Sequence, residues 1–194
     1  MRKNFFDLAV GDVLRAIRGR SLMGANTLSL CVLDYLAYLA SAKPGGIEEN
    51  YKAVVDGFLK QIDARYDSAK IWALRCSLVH TYAEAKAMKK AGLDGFYFMH
   101  LTPEFQFSGP SNELRLNSDT FVADVVWSAH LVFNAYHGAT KFEERGNSLV
   151  VIAGAPSVSS SRTFASFDAA LSVFDNGNPK LTDLRTAVSS LYSL

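Results

Sequence analysis

The stretch Ala73-Leu74-Arg75-Cys76-Ser77-Leu78-Val79-His80-Thr81-Tyr82 decides how this chain is organised. It lies within residues 67–91, a segment that contains neither proline nor glycine. Apolar side chains recur in it at helical spacing, at Ile71, Leu74, Leu78 and Tyr82. This periodicity predicts one long helix over residues 67–91, with Asp67 or Ser68 as its N-cap.

Arg75 and His80 are separated by four residues of this apolar stretch. Five positions along an α-helix turn about 140°, so the two side chains do not stack, although both can flank one seam of the helix. A permanently charged fork beside an imidazole that titrates near neutrality suits phosphate chemistry. The alternative is structural: Arg75 reaches solvent along its apolar stem, and His80 bonds a backbone carbonyl at the edge of the core.

Composition indicates a globular chain of 194 residues, long enough for a single domain with one substantial core. The net charge of +1 gives no overall attraction to nucleic acid, so any such binding must use a local patch. The two cysteines, Cys31 and Cys76, lie in apolar helical surroundings. They are typical of buried thiols in a reducing compartment and do not indicate a disulfide framework or a metal site.

No secretory signal is expected, because Asp7 and Asp12 interrupt the N-terminal segment where a continuous apolar core would be needed. The most apolar run, residues 28–42, is too short to span a bilayer and carries Asp34 in its middle. The sequence therefore predicts a buried helix of a soluble protein, with no membrane partner and a cytoplasmic location.

Three further helices are predicted before the motif helix, over residues 5–18, 25–42 and 47–62. The helix over 25–42 is apolar almost all round, which places it at the centre of a bundle or beneath a second subunit. Its one carboxylate, Asp34, is either exposed and hydrogen-bonded or the partner of Arg75. Short connections between the helices predict an up-and-down four-helix bundle over residues 1–91.

Beyond Gly92 the pattern changes to short aromatic and alternating runs, 96–101 and 113–117, separated by turn residues. They predict a small β-hairpin or ribbon within residues 92–117.

Residues 118–194 are expected to add further helices and a tail: a helix over 120–137 capped by Ser118 or Asp119, a short strand or buried helical turn at 148–153, and a terminal helix over 181–194. The fold class is thus mainly α, in a single domain over residues 1–194. No metal site is expected, since no HxxxH or HExxH spacing occurs.

The helical bundle, the apolar second helix with Asp34, and the run Trp72-Ala73-Leu74-Arg75-Cys76-Ser77-Leu78-Val79-His80 together resemble the HEPN superfamily (higher eukaryotes and prokaryotes nucleotide-binding). The hallmark of that superfamily is an arginine, four to six residues and a histidine. More narrowly, the chain resembles a bacterial subgroup of bundle proteins with an Arg-Cys-Gly/Ser-Leu-Val/Leu-His signature. The resemblance covers residues 5–82, and beyond Gly92 it is loose.

The resemblance implies a homodimer whose two motifs face each other and form a metal-independent ribonuclease site without a cofactor. Arg75 would stabilise charge on the scissile phosphate, and His80 would move the proton of the attacking ribose 2′-hydroxyl. Asp34, Cys76 and Tyr82 are the expected binding residues, with RNA or a nucleotide as ligand and no DNA. The residue after the arginine is usually Asn or Asp in this family, whereas here it is Cys76. A thiol orients phosphate poorly, so a non-catalytic bundle that binds a nucleotide, nucleic acid or protein remains the alternative.

A dimer formed chiefly by the second and fourth helices is predicted, since residues 28–39 carry more apolar surface than one bundle needs to bury. Trp72 and Leu74 are predicted in the core, and Arg75 beside Asp34, because a buried guanidinium without a partner is costly.

Overall fold

The computed structural model describes residues 2–41, 46–81, 86–148 and 180–191. These residues form a mainly α-helical fold with one small two-stranded sheet. The predicted fold class, a mainly α protein with a small β insertion and additional helices after it, is confirmed.

The described helices follow the predicted order. Their bounds are α1 over 2–18 (Arg2–Phe5, a π-helical stretch Phe6–Val10, and Gly11–Arg18), α2 Leu22–Ala40, α3 over 47–62 (Ile47–Val54, π-helical Val55–Leu59, and Lys60–Ile62), α4 over 68–81 (Ser68–Cys76 and π-helical Ser77–Thr81), α5 Lys86–Lys90, α6 Ser118–Ala135, α7 Thr140–Ser148 and α8 Leu181–Leu191. The strands are β1 Gly95–Met99 and β2 Glu113–Asn117. The interpretation of residues 148–153 as a strand or helical turn falls almost wholly outside the described residues.

The core is built around α2, which packs against α1, α3, α6 and α7. Its fully buried side chains, including Leu30, Val32, Leu33, Leu36 and Leu39, lie on one half of the helix. The opposite side, with Asp34 and Tyr38, is half-buried or exposed. Partly buried Leu28 and Tyr35 also pack against the core, which widens the apolar surface of the helix beyond its fully buried half. The helix starts at Leu22, earlier than predicted, because the Ser21 hydroxyl accepts a hydrogen bond from the Gly24 amide and caps it.

Because of that earlier start, α2 is long and apolar enough to cross a membrane by length and composition, which corrects the prediction that this run is too short. It is near the N-terminus, and half of its most apolar window is buried inside the fold.

The two strands run parallel, with Gly95 opposite Glu113 and Met99 opposite Asn117, so the predicted hairpin is corrected to a parallel ribbon. The reason lies in the connection, residues 100–112, which contains a 3₁₀ turn at Pro103–Phe105 and has the length that parallel strands require. The connection folds back along β2, where the Phe107 amide donates to the Arg115 carbonyl at 2.8 Å.

The N-cap of α6 is Asn117, whose side-chain oxygen accepts from the Thr120 amide, rather than Ser118 or Asp119 as predicted. Both of those side chains have other contacts. The Ser118 hydroxyl accepts from Asn26 of α2, and the Asp119 carboxylate accepts from the Leu101 amide. They tie the start of α6 to α2 and to the loop after β1.

Candidate functional site

The motif helix α4 begins at the predicted cap, because the Asp67 carboxylate accepts hydrogen bonds from the amides of Ala69 and Lys70. Ile71 and Leu74 of this helix are buried, as the apolar periodicity predicted. Trp72 was predicted in the core but is only partly buried, with its ring 5.3 Å from that of Tyr51. α4 therefore sits on the bundle with its Trp72 and Arg75 side at the edge of the core.

Arg75 is paired with Asp34 of α2, as predicted. The guanidinium Nε donates to Oδ2 of Asp34 at 2.7 Å, and Nη2 lies 2.7 Å from the same oxygen. The guanidinium carbon lies 5.1 Å from the centre of the Trp72 ring, within the range of a cation–π contact. Only 13% of the Arg75 side chain and 23% of the Asp34 side chain are exposed. A carboxylate and an aromatic face thus fix the direction of the guanidinium.

The electrostatics of this pair keep Arg75 charged. Burial disfavours the charged guanidinium, but the hydrogen bond and the charge of Asp34 outweigh it and hold the pKa of Arg75 above its ordinary value. Arg75 therefore keeps its positive charge at physiological pH. It can contribute a fixed positive charge to chemistry at this edge of the bundle, but not a proton.

Cys76, a predicted binding residue, is half-buried next to Arg75, to which its side chain is hydrogen-bonded. Burial raises the pKa of the Cys76 thiol despite that contact. Burial, followed by the charge of Asp34, likewise raises the pKa of Cys31. Both raised pKa values favour the neutral thiol near pH 7, so neither cysteine is a reactive thiolate in this environment.

The structure describes only the backbone of His80 and no part of Tyr82, the other two predicted site residues. The backbone of residue 80 lies in the π-helical stretch Ser77–Thr81 of α4, while its side chain is outside the described part of the structure. Tyr82 falls wholly outside the described residues. The structure therefore places Arg75, Asp34 and Cys76 together and leaves the other two as predictions.

Sequence reasoning missed Tyr51 and Cys31 as neighbours of this pair. Tyr51 of α3 is fully buried, and burial, followed by the charge of Asp34, raises the pKa of its phenol well above the ordinary value. Cys31 stands three positions before Asp34 on α2, a spacing that places two residues on one helix face, so the sequence carried that signal. For Tyr51, which belongs to the apolar side of another helix, the sequence carried no such signal.

A second polar cluster, also missed, lies under the C-terminal helix. Asp124 of α6 is buried and accepts hydrogen bonds from the Tyr66 hydroxyl at 2.9 Å and from Arg185 of α8 at 2.8 Å. Gln106 donates to the Tyr66 hydroxyl at 2.9 Å and accepts from the Asn117 amide. This cluster joins α6, α8, β2 and the loop before β2, and its role is to hold them together.

Within the residues that the structure describes, no three His, Cys, Asp or Glu side chains converge to hold a metal ion. His130 of α6 is buried, and its Nδ1 lies 2.9 Å from Nη2 of Arg2. Since arginine only donates, Nδ1 accepts that bond and the ring carries its proton on Nε2 in this arrangement. His130 is thus part of the packing of α1 on α6.

No protein-family model matches the chain, and no curated protein and no solved structure matches it either.

Proposed function

We propose that this chain is a HEPN-like homodimeric protein that binds RNA at the face of α4 carrying Arg75 and His80, and cleaves it without a metal ion. The observation that carries the proposal is the fixed guanidinium of Arg75, oriented by Asp34 and Trp72 at the edge of the bundle. A donor group held in place before the substrate arrives is the arrangement that stabilises developing charge most effectively.

The backbone between the two motif residues adds support. A regular α-helix separates residues 75 and 80 by about 140°, so the two side chains would flank one seam of the helix without lying side by side. The stretch Ser77–Thr81 is instead π-helical, with hydrogen bonds between residues five apart. This wider turn brings residue 80 toward the face that carries residue 75. α1 and α3 also contain π-helical stretches, so a π turn alone does not indicate a site; the support is that this turn lies between residues 75 and 80.

The proposed reaction is an attack of the ribose 2′-oxygen on the adjacent phosphorus. His80 takes the 2′-hydroxyl proton, the phosphorus–O5′ bond breaks with its electron pair leaving on O5′, and that oxygen takes up a proton. The products are a 2′,3′-cyclic phosphate and a 5′-hydroxyl end. Arg75 stabilises the negative charge that accumulates on the phosphate oxygens. DNA, which lacks the 2′-hydroxyl, is not a substrate of this reaction.

A second candidate is favoured by the low exposure of Arg75. A guanidinium that is already matched by Asp34 and largely buried is also what a structural ion pair looks like. On this account the bundle is non-catalytic and uses other surfaces to bind a nucleotide, nucleic acid or protein.

The deciding experiment measures cleavage of a single-stranded RNA in EDTA by the wild type, His80→Ala and Arg75→Lys. The proposal expects cleavage by the wild type and a loss of about 10²–10⁴ in rate for His80→Ala. Arg75→Lys should also lose activity, because a point charge cannot reproduce a bidentate fork. His137→Ala and Arg15→Lys are matched controls, since His137 and Arg15 are exposed residues outside α4. Both should keep wild-type rates.

Melting temperatures of the same proteins separate the two candidates. Absence of cleavage by the wild type, together with a lower melting temperature of both motif variants, would support the structural account. Cleavage at equal rates by the wild type and His80→Ala would identify a contaminating nuclease and overturn the catalytic proposal.

A further inference from the structure

The sheet exposes one strand edge that the described chain leaves uncovered. On the β2 side, the loop returns along the strand, where Phe107 and Gln106 bond the backbones of Arg115 and Asn117. On the β1 side, no backbone hydrogen bond beyond those to β2 is formed by residues 95–99 within the described part of the structure. A strand edge of this kind presents alternating N–H and C=O groups that can pair with another strand.

The side chains of β1 do nothing to discourage such pairing. Its sequence, Gly95-Phe96-Tyr97-Phe98-Met99, contains no charge and no proline, the two devices that natural edge strands commonly use for protection. Phe96 and Phe98 pack against the core, whereas Tyr97 and Met99 are 47% and 42% exposed on the other face. An uncharged edge with an apolar outer face indicates a strand that pairs with another chain.

The sequence around Tyr97 is complementary to itself in the antiparallel sense. If two copies of β1 pair about a two-fold axis at Tyr97, Phe96 lies opposite Phe98, and Gly95 lies opposite Met99. The Tyr97 ring of the same strand lies over Gly95, 3.4 Å from where a Cβ would stand, so Met99 of the second copy would pack on that ring. One residue beyond each end of β1, exposed Asp94 would come close to exposed His100 of the second copy, so that a carboxylate would lie near an imidazole at both ends.

We propose that the outer edge of β1 is a docking surface for a second copy of this chain, which pairs antiparallel in the register centred on Tyr97 and forms a continuous four-stranded sheet. The two-fold symmetry makes the contact self-complementary, as isologous interfaces require. This inference does not rest on the proposed ribonuclease activity, and it involves a surface different from the α4 face.

Cysteine cross-linking tests both the contact and its register. Residues directly opposite each other in an antiparallel pair have Cα atoms about 4.5–5.5 Å apart, a separation that a disulfide spans. Tyr97→Cys should therefore form a covalent dimer under mild oxidation at micromolar concentration. Met99→Cys is the matched control on the same strand and the same face. Its two copies would lie four residues apart along the ladder, roughly 13 Å, and should not cross-link.

The wild type measures any background from Cys31 and Cys76, and circular dichroism verifies that both variants are folded. A disulfide yield for Tyr97→Cys no higher than the wild-type background would overturn the proposal. Equal yields for Tyr97→Cys and Met99→Cys would overturn the register. Pairing of β1 with a foreign peptide in place of a second copy would also leave Tyr97→Cys without a covalent dimer.

A charge exchange gives a second measurement that does not alter β1 itself. Asp94→Lys removes the carboxylate opposite His100, and His100→Glu places two carboxylates opposite each other at both ends of the ladder. Each should raise the dissociation constant of the dimer by about threefold to tenfold at low salt, measured by sedimentation equilibrium. The double variant Asp94→Lys/His100→Glu should restore the wild-type value. Failure of the double variant to recover would contradict the predicted opposition of these two residues.

Discussion

Two fully buried tyrosines differ in what their hydroxyl groups bond. The Tyr66 hydroxyl donates to Asp124 and accepts from Gln106, whereas the Tyr51 hydroxyl has no hydrogen-bond partner among the described residues. A buried polar group without a partner costs stability. Tyr51→Phe should therefore be neutral or raise the free energy of unfolding by about 1 kcal/mol, while Tyr66→Phe should lower it by about 2 kcal/mol. Urea denaturation of both variants checks the contrast, and equal losses would contradict it.

The ion pair of Arg75 with Asp34 gives the next prediction at this scale. Asp34→Ala leaves a largely buried guanidinium without its carboxylate. The free energy of unfolding should fall by about 2–3 kcal/mol, between the values for a fully buried and an exposed pair. Asp12→Ala, which removes the partner of exposed Arg15, is the matched control and should cost less than about 1 kcal/mol. Similar losses in both variants would show that partial burial does not increase the contribution of the Arg75–Asp34 pair to the free energy of unfolding.

The pair itself could be predicted from sequence because a charge in an apolar helix needs a partner, and Asp34 was the carboxylate within the apolar run. The sequence could not predict the contact of Arg75 with Trp72, nor the position of Tyr51 beside the same cluster. They depend on how α3 and α4 are rotated against each other, and an apolar stripe defines a face of a helix but not its neighbours.

Among the elements, α8 is held to α6 by Arg185, whose guanidinium bonds the buried carboxylate of Asp124. Arg185→Ala should lower the free energy of unfolding by about 1.5–3 kcal/mol, the cost of removing a hydrogen bond to a charged group. The control is Arg65→Ala, because Arg65 pairs with Asp63 at the surface and should matter by less than about 1 kcal/mol. Limited proteolysis adds a local readout, since a loosened α8 should be cleaved earlier in Arg185→Ala than in Arg65→Ala.

The same contact predicts a pH dependence. Burial raises the pKa of Asp124, although the bonds from Arg185 and Tyr66 oppose that shift. The folded state therefore keeps this proton to higher pH than the unfolded chain, so the contribution of Asp124 to stability falls as pH rises through that window. The difference in unfolding free energy between the wild type and Asp124→Asn should decrease as pH rises above about 4, the ordinary pKa of an aspartate. A difference that grows with pH would mean that the ion pair with Arg185 outweighs burial.

Helices were easier to predict than the sheet for a physical reason. The periodicity of 3.6 residues is local, and it located α1, α2, α3 and α6 to within a few residues. The direction of β2 relative to β1 depends on the path of residues 100–112, where Leu101, Phe107 and Gly109 have positive φ values of 57°, 59° and 126°. Two of these three are not glycine, so composition gave no sign of the reversals that make the strands parallel.

At the scale of the whole molecule, the apolar surface that motivated a dimer through α2 and α4 is mostly covered by the chain itself. Of residues 28–39, all of which are described, Tyr38 is the large apolar side chain that stays exposed, at 50%. A two-fold contact through the motif helices remains the arrangement that the proposed ribonuclease needs. The β1 edge is a second surface that can bring two copies together.

The two surfaces predict different masses in solution, which light scattering at micromolar concentration can measure. A contact at one surface alone gives a dimer. Two different isologous contacts on each chain give a mass above that of a dimer: a closed tetramer where the two axes intersect at right angles, and larger assemblies otherwise. Tyr97→Lys places a charge on the β1 edge and should abolish sheet pairing, whereas Tyr38→Lys places the same charge on α2 at similar exposure. If only β1 mediates assembly, Tyr97→Lys should be a monomer and Tyr38→Lys should keep the wild-type mass. If only the contact through α2 and α4 mediates assembly, Tyr38→Lys should be a monomer and Tyr97→Lys should keep the wild-type mass. A wild type that is monomeric at this concentration would count against both contacts.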